Sequence, residues 1–365
     1  MVEPDRIRVT QDRCLAAVSP LAVCERCLTT CPTAAISGGE QQLIINHDRC
    51  LACGQCAAVC PTDAVEVAGF QDTACQAPIF ECRRTRTRDR ADGAASVPCL
   101  GGLSETALLA AALSAEDTIT LIDRGWCRRC PAGADNAAPW QTAVDAANQV
   151  LAHFTVRRIE VHKRPLPQRH ADPPPDFLQA QGAARRALFK RVTASPAATA
   201  VAAKEVNKVD AGALQRRKNL IAALADSAQT PLGAEHFPTV KISDACCDSR
   251  VCASACPTFA LASYNTDATG VDIDAETVTA SELLFSAAQC TACGACEQAC
   301  PSGALSVQAA GAGEFQPVTV LRHRPQRLCN ECEASFIPRD GEALCGQCQR
   351  DRELAREGFG LRRRL

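Results

Sequence analysis

Short runs of alternating apolar and polar residues stand on either side of cysteine-rich stretches, and this arrangement occurs once near each end of the chain. In the first copy, a strand-like run at residues 7–10 precedes the cysteines and another at residues 64–67 follows them. The second copy has the same order, with runs at residues 240–242 and 304–307. A pattern repeated in this way predicts two similar structural modules.

The segment between the modules has a different pattern, in which strand-like runs alternate with helical spacing. Residues 78–130 predict strand, loop, strand, helix, strand and the start of a helix, with Ser104 as a helix N-cap. Residues 136–153 have the apolar spacing of a helix. Prolines then break the pattern, and residues 176–226 are rich in alanine and basic side chains. We expect a small α/β unit followed by a linker.

These patterns predict an α+β chain. Its 365 residues suffice for two to four domains at roughly 100–200 residues per domain. The expected parts are a first module at residues 1–70, a small α/β unit at 71–160, a Pro-rich and basic helical linker at 161–238, a second module at 239–312 and a cysteine-containing end at 313–365.

Cysteine is abundant and aromatic residues are scarce. The chain has 25 cysteines and 4% aromatic residues, so bound metal rather than an aromatic core is expected to hold the units together. A disulfide framework would need an export signal, but Met1–Arg6 carries no apolar stretch, and no later run of 18 apolar residues suggests a membrane span. We therefore expect a reducing cytoplasm. The net charge of −2 gives no general argument for nucleic acid binding.

One cysteine run in each module has the complete spacing of bacterial-type dicluster ferredoxins. The two runs are Cys50-x2-Cys53-x2-Cys56-x3-Cys60-Pro61 and Cys290-x2-Cys293-x2-Cys296-x3-Cys300-Pro301. Both modules therefore resemble 2[4Fe–4S] ferredoxins. The resemblance implies ferredoxin-like folds in which the fourth cysteine of each run ligates the other cluster of the pair.

The partner run of the first module departs from this spacing. It reads Cys24-x2-Cys27-x3-Cys31-Pro32, and its first cysteine is displaced to Cys14. A zinc site made of the same thiolates is the alternative, but zinc ribbons do not interleave their ligands in this way. By resemblance, one [4Fe–4S] cluster takes Cys14, Cys24, Cys27 and Cys60, and the other takes Cys50, Cys53, Cys56 and Cys31.

The partner run of the second module is irregular, because alignment on Cys252 and Cys256 puts Ser249 at the second ligand position. Two alternatives stay open: a [3Fe–4S] cluster, or a fourth [4Fe–4S] cluster completed by Cys247. By resemblance, an ordinary [4Fe–4S] cluster takes Cys290, Cys293, Cys296 and Cys256, which leaves Cys246, Cys252 and Cys300 for the irregular site.

Four cysteines of the α/β unit follow predicted strands, so we expect them to converge at the carboxyl ends of those strands. They are Cys82, Cys99, Cys127 and Cys130. Three alternatives stay open. The segment is similar to the iron–sulfur delta subunit of methyl-viologen-reducing hydrogenases, which implies a [2Fe–2S] cluster; the Cys127/Cys130 pair also resembles a thioredoxin dithiol; and the cysteines can be purely structural.

Two cysteine pairs near the end of the chain are separated by twelve residues. They are Cys329-x2-Cys332 and Cys345-x2-Cys348, whose spacing resembles that of zinc ribbons. We expect a zinc-ribbon-like end with one structural zinc ion. A rubredoxin-like iron site and the absence of metal are the alternatives.

The cysteine patterns predict a polyferredoxin-like electron-transfer protein that relays electrons to or from a larger oxidoreductase, such as a formate dehydrogenase or hydrogenase. No nucleotide-binding glycine motif or paired-histidine metal site is present, so we expect no catalytic centre. The alternatives are a dithiol reductase using Cys127 and Cys130, or a maturation factor for a metalloenzyme. Residues 163–218 hold twelve Lys or Arg against four Asp or Glu, which indicates solvated linker helices or a docking surface for an acidic redox partner.

Overall fold

The computed structural model describes most of the chain outside its ends and the central linker. The described residues are 7–39, 42–70, 77–115, 118–133, 136, 138–155, 157–172, 209, 212–267, 277–338 and 341–362. The proline run at 173–175 and most of the basic segment lie outside these ranges, and so does Cys75.

The first module is built from two antiparallel strand pairs and three short helices. Its outer strands bury Ile7, Val65 and Val67 against the cysteine-bearing helices. The strand pairs are β1 (Ile7–Val9) with β4 (Val65–Val67) and β2 (Ile36–Gly39) with β3 (Gln42–Ile45); the helices are α1 (Leu15–Val18), α2 (Arg26–Thr30) and α3 (Gln55–Ala58).

The middle unit contains a four-stranded parallel sheet in the order β6-β5-β7-β8. The Oγ of Ser104 accepts a hydrogen bond from the backbone N–H of Ala107 at 3.1 Å, which confirms the predicted N-cap of α4. The strands are β5 (Ile79–Cys82), β6 (Ala95–Val97), β7 (Ile119–Asp123) and β8 (Ile159–Lys163), and the helices are α4 (Glu105–Ser114) and α5 (Gln141–Phe154).

Helix α6 (Gly212–Ala228) comes from the predicted linker but packs into the middle unit. It contacts α4 and α5, and its Ile221 is fully buried in the same apolar cluster as the sheet. Arg217 donates two hydrogen bonds to the carboxylate of Glu105 on α4. Sequence reasoning missed this packing because the basic side chains of this stretch conceal one apolar stripe along the helix.

The second module repeats the plan of the first but has a longer hairpin. In this hairpin, formed by β10 and β11, strand β11 also pairs with β13, and β13 pairs with β14, so the sheet connects the module to the C-terminal cysteines. The elements are β9 (Thr239–Ile242) paired with β12 (Leu305–Gln308), α7 (Val251–Ala255), α8 (Ala295–Ala299), β10 (Leu261–Asp267), β11 (Thr277–Phe285), β13 (Thr319–Leu328), β14 (Ser335–Phe336) and α9 (Gly346–Arg362).

In the part of the chain that the structure describes, no helix combines the length and the apolar character needed to cross a lipid bilayer.

Candidate metal centres

The fold of the first module brings its eight cysteines together as two interleaved sets. Burial and then the nearby thiols of Cys60, Cys14 and Cys24 raise the pKa of Cys27 to about 12. Burial and then the other three thiols of the second set raise the pKa of Cys56. The sets are Cys14, Cys24, Cys27, Cys60 and Cys31, Cys50, Cys53, Cys56, as the resemblance implied.

Four thiols surround a cavity in each regular site. Cys31, Cys50, Cys53 and Cys56 line a partly open cavity of about 330 Å³, and Cys256, Cys290, Cys293 and Cys296 line one of about 310 Å³. Backbone amides point at the sulfur atoms: the N–H groups of Ala52 and Ala292 donate to the Sγ of Cys50 and of Cys290, each at 3.4 Å. Four thiolates with amide donors around such a cavity fit a [4Fe–4S] cluster.

Each regular run has a characteristic backbone. The residues immediately before and after the second cysteine have positive φ angles: 49° at Ala52 and 81° at Gly54 in the first module, and 53° at Ala292 and 75° at Gly294 in the second. Residues with a left-handed backbone conformation on both sides of a cysteine make the loop turn tightly around the cavity.

The irregular run repeats this backbone around a serine. Asp248 and Arg250 have φ angles of 54° and 59°, so Ser249 occupies the position that Cys53 and Cys293 occupy in the regular runs. Cys247 is exposed, and a hydrogen bond from the hydroxyl of Ser249 is the largest cause of its lowered pKa. The cavity at this site, about 390 Å³, is lined by Cys246, Cys247, Ser249, Cys252 and Cys300.

The middle cysteines also converge. They lie at or just beyond the carboxyl ends of β5, β6 and β7, which are neighbours in a parallel sheet. Cys127 begins a single 3₁₀ turn, Cys127–Arg129, rather than the long helix on which a thioredoxin-type dithiol depends. Their cavity, about 420 Å³, is lined by Cys82, Cys99, Cys127 and Cys130 together with Arg84, Trp126 and other residues.

The four C-terminal cysteines lie much closer together than those of the other sites. Cys329, Cys332, Cys345 and Cys348 have all their sulfur atoms within 4.8 Å of one another, and the Sγ atoms of Cys332 and Cys345 are 3.7 Å apart. A tetrahedral zinc ion with Zn–S bonds of about 2.3 Å places its sulfurs about 3.8 Å apart. The donor set therefore fits one metal ion.

An apolar contact joins the first module to the second. Leu15 and Ala22 of the first module are buried with Val209 and Ala295, and Cys24 and Cys293 pack against this cluster. The guanidinium of Arg26 donates to the carbonyl oxygen of Thr291 at 3.3 Å. One regular site of the second module thus adjoins one site of the first.

A second contact joins the first module to the middle unit. Cys53 and Cys99 are buried in one apolar cluster with Leu51 and Ala132. A Cβ atom on Gly102 would collide with the carbonyl oxygen of Cys53, so this close approach requires glycine. Neither contact was predicted, since both join residues far apart in sequence.

Arg84 is the side chain of the middle cavity that sequence reasoning missed. It is 7% exposed and lines the cavity between the cysteines. The available signal was the arginine-rich stretch that begins directly after Cys82, although the sequence does not indicate which arginine turns inward.

Comparison with known families identifies the two modules. Family models described as 4Fe–4S dicluster domains match residues 22–64 and 245–304, and these matches include both regular cysteine runs. The middle unit and the C-terminal cysteines lie outside the matches, and comparison with the curated proteins gives no match. Residues 22–64 and 245–304 are therefore two 4Fe–4S dicluster ferredoxin domains.

Proposed function

We propose that this protein is an iron–sulfur electron carrier whose two dicluster domains form one continuous row of cluster sites. The observation that carries the proposal is the contact between the domains, where Cys24 of one site and Cys293 of another pack against the same apolar cluster. Two independent ferredoxin domains joined by a linker would have no need to bring their cluster sites into contact.

The order of the sites follows from the contacts of their cysteines. Within each domain the two sites are neighbours, because the last cysteine of each run belongs to the other site. Between the domains, the neighbours are the sites that contain Cys24 and Cys293, which pack against the same apolar cluster. The row begins with the Cys31/Cys50/Cys53/Cys56 site and continues through the Cys14/Cys24/Cys27/Cys60 site and the Cys256/Cys290/Cys293/Cys296 site to the irregular site at Cys246, Cys252 and Cys300.

Side chains at the contact between the two domains support electron transfer from one domain to the other. Bound [4Fe–4S] clusters take up and release single electrons. Leu15, Ala22 and Ala295 keep water away from the space between the two sites. Arg26 fixes the distance between the domains by its hydrogen bond to Thr291. A dry, rigid contact favours electron exchange because little solvent has to reorganise when charge moves.

The irregular site is the end of the row at which a partner gains access. Cys247 is exposed there, and neighbouring Val251 has 43% of its surface exposed. An exposed apolar side chain beside a redox site suits a transient contact with another redox protein. We assign the partner to the class of larger oxidoreductases or redox proteins, such as a formate dehydrogenase or hydrogenase system.

A stepwise reductive titration of anaerobically purified protein tests this function. The four sites of the dicluster domains predict that these domains take up about four electrons per chain reversibly. The bleaching of the broad visible absorbance measures this uptake. Electron paramagnetic resonance signals of single reduced sites should broaden as neighbouring sites become reduced. Signals that stay sharp at full reduction would contradict a continuous row, and absorbance that does not respond reversibly would contradict electron transfer altogether.

A further inference from the structure

A buried cation without a complete set of partners faces the cavity of the middle unit. The Nε of Arg84 donates to the carbonyl oxygen of Asp172 at 3.0 Å, and its guanidinium lies 5.9 Å from the ring centroid of Trp126. Its Nη1 is buried, yet it has no hydrogen-bond partner among the described residues. An unsatisfied buried donor costs about 1–3 kcal/mol, and more when it is charged, so this atom points to an anionic acceptor inside the cavity.

The cysteines around Arg84 are arranged as a set. Cys82, Cys99, Cys127 and Cys130 line one cavity at the carboxyl ends of the neighbouring strands β5, β6 and β7. Their cavity is as large as those of the ferredoxin sites, about 420 Å³ against 310–390 Å³.

The spread of these thiols excludes a site preformed for one ion. Within the ranges that the structure describes, only the C-terminal cysteines bring three or more such ligand atoms within 4.8 Å of one another. The middle cysteines are therefore separated as the ferredoxin cysteines are, around a space that several atoms can fill. If Cys127 and Cys130 instead served as a dithiol, nothing would fill this space and the Nη1 of Arg84 would have no acceptor.

We propose that Cys82, Cys99, Cys127 and Cys130 hold an additional iron–sulfur cluster, to which Arg84 donates a hydrogen bond. The inference rests on the proposed function, since it assumes that the chain is loaded with clusters. The sulfides of such a cluster supply the anionic acceptor that the Nη1 of Arg84 lacks.

Among the other charged groups that line the cavity, Arg124 is already paired with Glu81 at 2.5 Å, and the Asp123 carboxylate is partly exposed and accepts a hydrogen bond from the N–H of Gly125. Arg84 is therefore the buried cation of this lining whose Nη1 has no partner among the described residues. A positive charge beside a cluster stabilises the reduced, more negative form and so raises the reduction potential.

The additional site extends the row of cluster sites. Cys99 is buried beside Cys53, whose site begins the row, and Gly102 allows the two backbones to touch. The amide of Gln55 further ties the loops together through its hydrogen bond to the carbonyl oxygen of Ala132. The site in the middle unit is thus one end of the row of cluster sites, and the irregular site is the other end.

Iron analysis of the full chain with Cys99→Ser tests the site. The expected result is the loss of two irons, for a [2Fe–2S] cluster, or four, for a [4Fe–4S] cluster, while the signals of the dicluster domains persist. Cys75→Ser is the matched control, because Cys75 belongs to none of the proposed ligand sets. If the Cys99 variant loses all its iron through misfolding, Cys130→Ser, whose side chain is partly exposed, gives the decisive count.

Several outcomes separate the possible failures. Unchanged iron content in the Cys99 and Cys130 variants would overturn the inference of an additional cluster. This holds whether these variants lose zinc instead or lose no metal, and in both cases the proposed function is unaffected. A wild-type protein without the iron of the dicluster domains would overturn the proposed function itself.

The potential of the additional cluster tests the role of Arg84. Arg84→Gln should keep the iron content but shift the midpoint potential of this one centre to more negative values. Arg88→Gln is the matched control, because the Arg88 side chain is 72% exposed and its charge is screened by solvent. An unchanged potential in the Arg84 variant, or an equal shift of every centre, would show that Arg84 does not act on the cluster.

Discussion

Ser249 is the residue at which a strong cysteine pattern is broken inside an otherwise complete site. The residues on both sides of Ser249 have positive φ angles, as do the residues that flank Cys53 and Cys293. The loop at Ser249 therefore has the backbone conformation of a cluster-binding loop but carries a hydroxyl in place of the thiol. A serine oxygen replaces sulfur at the position where the fourth iron of a [4Fe–4S] cluster would be held. Cys247, which lines the same cavity, is the candidate replacement.

The first prediction concerns the cluster type at this site. If Cys247 does not ligate, the oxidised protein should show the electron paramagnetic resonance signal of a [3Fe–4S] cluster without oxidative damage, and Ser249→Cys should convert it to [4Fe–4S]. If Cys247 ligates, the wild-type protein should lack this signal and Cys247→Ala should create it. Full iron occupancy without the signal in both proteins would contradict the alignment of this run.

The second prediction concerns the buried ion pair at the carboxyl end of β5, an interior strand of the middle sheet. The carboxylate of Glu81 is fully buried and accepts hydrogen bonds from Arg124 and from the N–H of Ala91. Glu81→Gln leaves the Arg124 cation uncompensated, so the free energy of local unfolding should fall by about 3–5 kcal/mol. Hydrogen–deuterium exchange of the sheet amides measures this change.

Glu66→Gln serves as the control for this measurement. Glu66 forms an ion pair with Arg13 at 3.6 Å, and both side chains are more than a third exposed. Breaking this pair should change stability by less than about 1 kcal/mol. Equal effects of the two substitutions would show that burial of the Glu81 pair has no energetic consequence.

At the scale of elements, the sequence predicted the parts that depend on local patterns. The order strand, strand, helix, strand within residues 78–123, the N-cap at Ser104 and the convergence of the middle cysteines all follow from periodicity and from the geometry of parallel strands. The helix expected to start at the end of this segment is instead the single 3₁₀ turn Cys127–Arg129, and α5 begins only at Gln141. The packing of α6 was not predicted, because it depends on Ile221 meeting α4 and α5, which no local pattern reveals.

The C-terminal end carries the third prediction. A tetrahedral site made of Cys329, Cys332, Cys345 and Cys348 should bind about one zinc ion per chain, and Cys329→Ser should abolish this binding while the iron content persists. Elemental analysis measures both metals, with Cys75→Ser as the control. Zinc that is unchanged in the Cys329 variant would contradict the assignment, and iron in place of zinc would support a rubredoxin-like site instead.

At the scale of the whole molecule, the chain brings together four cysteine sets in its two dicluster domains, a fifth in the middle sheet and a sixth at the C-terminal end. The resemblance to dicluster ferredoxins implied which cysteines belong together in the two domains, and the structure brings the same cysteines close to one another. The sequence did not predict the order of the sites, because the Cys24–Cys293 and Cys53–Cys99 contacts arise from packing between distant segments. The role of the cysteines as ligands stays a prediction.

The central claim is that the two dicluster domains carry clusters at all four of their sites. Quantitative analysis of iron and acid-labile sulfide in anaerobically purified protein tests this most directly. The account predicts about fifteen or sixteen irons per chain from these domains, depending on the cluster at Ser249, and a further two or four from the middle unit. Zinc as the only bound metal would contradict the account.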